Sequence, residues 1–419
     1  MSTTIQTTPE ERKLGFRVLF LGMFAIGTGQ TLFIAVLPPF ARGLGLVEMQ
    51  VGFIFSLSAL GWMLMSPFWG RKSDFVGRKT IILLGLAVYS ITTILMGIEF
   101  QLNQGGMISV STLFVLLILT RGCYGFLGSG SHSASMAYVA DRTTEEERTG
   151  VMAVMGSAFA ISGIIGPGLA SAAVLLGPLV PYYLFGGITA LITLLIWIYL
   201  PEKTKPEIPA KVHQVRLTAF DPRILTFALM GLFISQTSAI IMQILSMYLQ
   251  DKFDYSNTDA SVYTGLMLIF TGIATLIIQL GVVRKFSPTP GILLRLGSIA
   301  TIISLILIIL SKDLYLIAIA MAIYGVGGAL MGPGLFTGVS LAVGKNEQGA
   351  AAGILISSYA AGFLLNPLTG MSLFTWKPDS PYYFAVLLMI FCFIIAISDK
   401  RLNKKVEYEE GMGHSGHAG

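Results

Sequence analysis

Twelve long apolar runs separated by short polar breaks organise this chain. They fall at roughly residues 16–40, 51–69, 80–99, 112–138, 149–176, 182–200, 223–249, 261–282, 291–311, 314–342, 349–371 and 381–398. Most approach or exceed the roughly 20 residues that carry a helix across a bilayer core of about 30 Å. The pattern predicts an all-α integral membrane protein with twelve transmembrane helices. The first run, from Phe16, is longer than the apolar segment of a cleaved signal and is read as the first span.

The polar breaks give a direction. With the N-terminus placed in the cytoplasm, Arg42, Lys252, Lys312 and Lys377 lie outside, Arg121 lies within a span, and every other Lys and Arg lies inside. Such a bias sets topology and puts both termini in the cytoplasm. The net charge of +5 is then a topology signal, and a nucleic-acid partner is not needed to explain it.

The chain also repeats itself. Tyr124-Gly125, followed by Gly128, recurs as Tyr324-Gly325 and Gly328, and Gly166-Pro167 as Asn366-Pro367. Val51-Gly52-Phe53 is echoed by Thr264-Gly265-Leu266, and Arg71-Lys72 by Arg284-Lys285. The expected organisation is two pseudo-symmetric six-helix bundles, 1–200 and 223–398. A Pro- and Lys-rich cytoplasmic linker, 201–222, joins them, and a solvated tail occupies 399–419.

Composition agrees. Hydrophobic residues make up 54% of the 419 positions and charged ones 12%, against about 25% charged in soluble domains. Cys123 and Cys392 both fall inside apolar runs, so neither a structural disulfide nor a metal site is expected. His414 and His417 sit in a Gly-rich tail, where two ligands on a solvated chain make a poor metal site. The sequence shows no nucleophile–base set, nucleotide loop or metal cluster, so neither an enzyme nor a cofactor is expected.

Between the second and third runs stands Gly70-Arg-Lys-Ser-Asp-Phe-Val-Gly-Arg-Lys79, read as a short basic loop with one acid. Gly70, Asp74, Gly77, Arg78 and Lys79 resemble the loop motif of the major facilitator superfamily, whose pattern departs at Lys72 and Phe75. The resemblance implies that Asp74 approaches the N-terminus of span eleven, Gly349 to Gly353, where a helix dipole favours an anion. It also implies that Arg78 pairs with an acid at the end of span four, where Asp141 stands. Together these residues would latch the interior side when the cavity faces outward. Topology alone explains Arg71, Lys72 and Lys79.

Further motifs lie within spans. Leu117-x-x-x-Arg121-x-x-x-Gly125 resembles the family's span-four motif, in which the arginine is linked to proton transfer, with Tyr124 replacing a frequent glutamine. A charge inside a span faces a cavity or a partner, so Arg121 is a proton-coupling candidate or a structural arginine bound to carbonyls. His132, eleven residues on, falls on the same helical face by periodicity and is a second proton candidate, equally readable as a neutral hydrogen-bonded histidine. Glu99 ends the third run and is read as interfacial. Ser162-Gly163-Ile-Ile-Gly166-Pro167-Gly168-Leu-Ala170 resembles the span-five motif of the superfamily's antiporters. It makes Gly163, Gly166 and Pro167 a candidate helix-packing motif. On the family plan Gln30, Phe33, Tyr124, Gln236, Gln243, Tyr324, Tyr359 and Asn366 are candidates for a substrate cavity, and each is also readable as an interhelical hydrogen-bonding or packing residue.

These features point to a secondary active transporter of the drug–proton antiporter type: a monomeric, proton-coupled exporter of a small organic molecule by alternating access, in a bacterial inner membrane. Its partners would be lipid, substrate and protons. The alternatives are a dedicated siderophore or metabolite exporter, a proton-symport importer, and, in a different class, a non-transporting membrane sensor.

Overall fold

The computed structural model describes residues 9–143, 145–201, 217–218, 220–283, 285, 288–344 and 347–403. Twelve helices among them are long and apolar enough to span a bilayer. They are α1 (Pro9–Gly43), α2 (Glu48–Val76), α3 (Arg78–Gln104), α4 (Val110–Ala140), α5 (Glu145–Val174) and α6 (Val180–Tyr199). The second half holds α7 (Leu225–Phe253), α8 (Asn257–Val283), α9 (Pro290–Leu310), α10 (Leu314–Ala342) and α12 (Ser380–Ser398). Between the last two lies α11, which runs Gln348–Leu365, passes a π turn at Pro367–Met371, and ends at Ser372–Trp376. Their outward faces are apolar and exposed, as at Leu191, Trp197, Ile277 and Ile303, which is a surface made for lipid.

The two halves pack by one scheme. α1 lies on α5 and α6, α3 on α4 and α6, and α2 on α4; the second half repeats this as α7 on α11 and α12, α9 on α10 and α12, and α8 on α10. Two equivalent seams join the halves, α5 against α8 and α2 against α11. The repeated motifs meet at these seams. A methyl group on Gly52 would press on Pro367 and Met371, and one on Gly265 would overlap Ser171 and the Pro167 carbonyl. Each glycine thus lets its helix close on the proline-bearing helix of the other half. Ser171 Oγ donates to the Ser261 carbonyl at 2.9 Å, and Ser56 Oγ to the Leu364 carbonyl at 3.0 Å. Gly265→Leu is expected to wedge the α5–α8 seam open. Spin labels at Leu175 and Asp259 should report a longer separation, and an unchanged distance distribution would show that the seam tolerates the side chain.

Several expectations are corrected. The basic segment after Gly70 is not a loop. α2 continues through it to Val76, and only Gly77 breaks the path before α3 begins at Arg78. Gly77 has φ 108°, a conformation that favours glycine. The start of the tail is not solvated: Leu402 is buried, and Arg401 donates to the Pro222 carbonyl and to Thr226 Oγ1. Most of the linker, the remainder of the tail with His414 and His417, and Arg284 of the Arg-Lys echo lie outside the described residues. At Gly163 a methyl group would meet nothing within 4 Å among the described residues, so no close helix approach depends on its lacking a side chain. Gly166 packs against Thr28 and Thr31 of α1, and Gly168 packs against Ile269 of α8.

Candidate functional site

The site starts from one charge. Arg121 lies on α4 just before a π turn, Tyr124–Gly128, and is 3% exposed. Its Nη2 donates to Gln30 Oε1 of α1 at 2.9 Å, and Gln30 Nε2 donates to the Tyr124 hydroxyl at 2.9 Å. Arginine can only donate, so this chain of bonds fixes the Gln30 amide. The guanidinium also lies 3.8 Å from the Phe33 ring centroid and 5.1 Å from that of Tyr124. Buried cation–π contacts of this kind are worth up to about 2 kcal/mol each. Among the described residues no carboxylate forms an ion pair with Arg121.

Arg121 opens onto a cavity of about 150 Å³ between the halves, lined also by Gln30, Ile34, Phe55, Ser58, Ala59, Trp62, Gln243 and Phe363. Gln30 and Gln243 hold equivalent places in the two halves, in the same register as Gly52 and Gly265. Behind Gln243 runs a buried amide chain. Gln236 Nε2 donates to Asn366 Oδ1 at 3.1 Å and to Thr369 Oγ1 at 2.9 Å, and Asn366 Nδ2 donates to Gln243 Oε1 at 2.8 Å. The remaining candidates stand back from this cavity. Phe33 and Tyr124 pack on Arg121, while Gln236 and Asn366 brace Gln243. Tyr324 donates to Ser238 Oγ at 2.9 Å, and Tyr359 stacks on Phe336.

A vestibule of about 490 Å³ opens between α2, α4 and α11 toward the face that carries both ends of the helical bundle. Trp62 lines both it and the central cavity. At its rim Arg78 gathers Asp74, Asp141 Oδ2 at 3.2 Å, Ser73 Oγ at 2.6 Å and the Gly70 carbonyl at 3.3 Å. Among the described residues Asp74 makes no hydrogen bond or ion pair with the N-terminus of α11. Its partner is Arg78, and Gly353, Ile356 and Ser357 lie across the vestibule from it. Lys79 enters no ion pair among the described residues. Arg223 ties the linker end to the start of α11, bonding Asp221 and Glu347 at 2.9 Å each, and its hydrogen bonds hold both carboxyls below their ordinary range.

His132 does not share the face of Arg121. The intervening π turn adds one residue to the helical turn and rotates the rest of α4 by roughly 100°. His132 lines neither the central cavity nor the vestibule. Glu99, expected at the outer interface as the end of its span, neither ends α3 nor faces outward. α3 continues to Gln104, beyond the apolar run, so Glu99 lies more than a turn inside the helix and is 7% exposed. It is the one Asp or Glu that is buried among the described residues. Thr120 Oγ1, beside Arg121 in the chain, donates to its Oε1, while Oε2 has no hydrogen-bond partner.

The opposite face is shut. Besides the two glycine seams, Arg42 of α1 grips Asp251 of α7 with Nη1 at 2.5 Å and Nη2 at 3.2 Å, and reaches Glu48 at 3.3 Å. A half-exposed pair of this kind is worth up to about 1 kcal/mol, roughly fivefold in an equilibrium constant. Asp251→Ala is therefore expected to raise access to the central cavity from this face. With Cys123 and Cys392 replaced by serine, labelling at Phe55→Cys by an impermeant thiol reagent should quicken about fivefold. An unchanged rate would confine Arg42 to a surface role.

Helices in two repeated halves with a cavity between them set out the fold, and a family model decides the lineage. The model of the Major Facilitator Superfamily matches residues 19–367 and 227–415. The chain belongs to the Major Facilitator Superfamily. It is a multi-pass membrane transporter and not an enzyme. It is 25% identical to the quinolone resistance protein NorA of Staphylococcus aureus (strain COL), over 94% of this chain and 98% of that one. It is 26% identical to multidrug resistance protein 2 of Bacillus subtilis (strain 168), over 91% and 94%. Among solved structures, a bacterial homologue of the iron transporter ferroportin in an inward-facing state shares the fold with a TM-score of 0.73 and 16% identity, over 94% of this chain and 99% of that one. A bacterial homologue of the human lysosomal transporter Spinster, inward-facing and occupied, gives 0.71 and 14%, over 93% and 96%.

Proposed function

We propose that this transporter is a proton-coupled exporter of small organic molecules in a bacterial inner membrane, with both termini in the cytoplasm. The observation that carries it is the central cavity. It is sealed at one face by Gly52, Gly265 and the Arg42–Asp251 pair, and it reaches the other through Trp62. With the basic ends of the helices cytoplasmic, this is the state that loads from the cytoplasm. The near full-length similarity to resistance proteins supports export. Glu99 is the group to which we assign the proton. It is a buried carboxyl with one free oxygen, and it accepts from Thr120, the residue before Arg121, so its protonation acts on the same turn of α4 that carries the cavity's arginine. The rim knot at Arg78 belongs to the first half. Asp74 would meet α11 only when the vestibule closes, which gives the latch its place in the cycle.

Everted vesicles test the reading. Energised vesicles containing the protein should accumulate a quinolone or another small aromatic efflux substrate, and a protonophore should abolish that accumulation. Accumulation indifferent to the protonophore would remove proton coupling. Substrate movement only out of everted vesicles would reverse the direction.

A further inference from the structure

The central cavity holds a charge without a counter-charge. Arg121 is buried, its Nε has no hydrogen-bond partner, and its engaged nitrogen bonds only a neutral amide. No acid lines the cavity among the described residues. Two further donors face the same space. Asn366 Nδ2 donates to the Ala239 carbonyl at 3.5 Å, which fixes the Asn366 amide and makes Gln243 Oε1 the acceptor. The Gln243 NH2 group makes no hydrogen bond among the described residues, and Gln243 lines the cavity. Ser58 Oγ, on the cavity wall, likewise makes none. A guanidinium is a planar fork that matches a carboxylate or phosphate with two parallel bonds, and buried charges are held by such partners. The apolar part of the wall, Ile34, Phe55, Trp62 and Phe363, leads into the larger vestibule.

We propose that the central cavity binds the anionic group of an amphipathic organic anion, a carboxylate or equivalent oxyanion, gripped by Arg121 of the first half and Gln243 of the second. Its apolar body lies along Phe55, Trp62 and Phe363 toward the vestibule. The small cavity takes the headgroup, and the vestibule takes the remainder. Because the two grips belong to different halves, one bound anion touches both sides of the rocking interface, so its binding can bias their relative position. A cationic substrate would place like charge against a buried guanidinium with no acid to offset it. The inference deepens the export reading and rests on it for the ligand's being a transported molecule.

The test uses the full-length protein in nanodiscs of phosphatidylethanolamine and phosphatidylglycerol, with empty nanodiscs subtracted. Three probes share one ring system: 2-naphthoate, 2-naphthamide and 2-naphthylmethylammonium. Equilibrium dialysis should find saturable naphthoate binding at least tenfold tighter than that of the other two. Arg121→Gln should lose at least tenfold in naphthoate affinity, Arg121→Lys should retain part of it, and Gln243→Leu should lose severalfold. If Arg121→Gln does not purify as a folded species, Gln243→Leu decides. The proposal is overturned if the ammonium probe binds as tightly as naphthoate, if naphthoate shows no saturable binding, or if its affinity survives both Arg121→Gln and Gln243→Leu. Proteoliposomes separate the two readings. Naphthoate bound but never carried would sink export and leave the site standing. A cationic dye pumped by protein that ignores naphthoate would sink the anion site and leave export standing.

Discussion

Arg121→Ala abolishes gradient-driven export while leaving a folded, monodisperse membrane protein. That outcome is expected because the guanidinium is a charge facing the central cavity, and its partners are all neutral: Gln30, Phe33 and Tyr124. Removing it leaves no opposite charge stranded, so the larger penalty of a broken buried ion pair does not arise. The cost to folding is the freed Gln30 oxygen and two lost ring contacts, about 1–3 kcal/mol for the unsatisfied amide. The cost to function is the one fixed charge that lines the cavity among the described residues. Elution as one symmetric peak, with uptake into everted vesicles at the level of vesicles lacking the protein, is the combined result to look for. Uptake near that of the unmodified protein would show that Arg121 only braces α1 against α4.

Glu99→Gln has the second largest expected effect, and it separates coupling from movement. The substitution keeps the carbonyl oxygen that accepts from Thr120 and removes the group able to carry a proton. Exchange of labelled for unlabelled substrate across proteoliposomes should stay within about twofold, because substrate contacts at Arg121 are untouched. Accumulation driven by an imposed pH difference should vanish. A variant that still accumulates substrate against its gradient would move the proton site elsewhere, with Asp141 the next group to replace. The hydrogen bond that changes is worth about 1.5–3 kcal/mol when one partner is charged, which is enough to shift a two-state equilibrium by an order of magnitude or more.

Together these variants separate two elements that lie side by side on α4. Thr120 turns toward α3 and Glu99, while Arg121 turns toward α1 and the cavity. Consecutive residues of a helix point about 100° apart, so α4 can reach the proton site proposed at Glu99 and the substrate site proposed at Arg121 through neighbouring positions. The π turn after Cys123 then resets the face that α4 presents toward the vestibule, where Ser133 and Ala137 line the wall in place of His132.

Much of this was legible in the chain. Length and hydropathy alone determine twelve spans, because a helix must satisfy its own backbone inside lipid and about 20 apolar residues are needed to cross it. The distribution of Lys and Arg determines the direction expected of them. The echoes of Gly52 in Gly265 and of Pro167 in Pro367 determine two like halves, and Arg121 announces itself as a charge where none is cheap. Tertiary structure decided the rest. Glu99 reads as the end of a span because polar Gln101, Asn103 and Gln104 lie just beyond it, yet they prolong α3, and Glu99 is buried in the bundle. His132 looked aligned with Arg121 because a uniform 3.6-residue period was assumed, and a π turn is a local departure that packing selects. Gly163 looked like a packing glycine beside Gly166, but only the placement of α1 and α8 tells which glycines meet a neighbour. Ser58, Trp62 and Phe363 carry no motif, and the Arg42–Asp251 pair joins residues far apart in the chain. Sequence periodicity records which way a side chain points around its own helix. What it points at depends on how two six-helix halves rest on each other, and that is set by contacts between residues hundreds of positions apart.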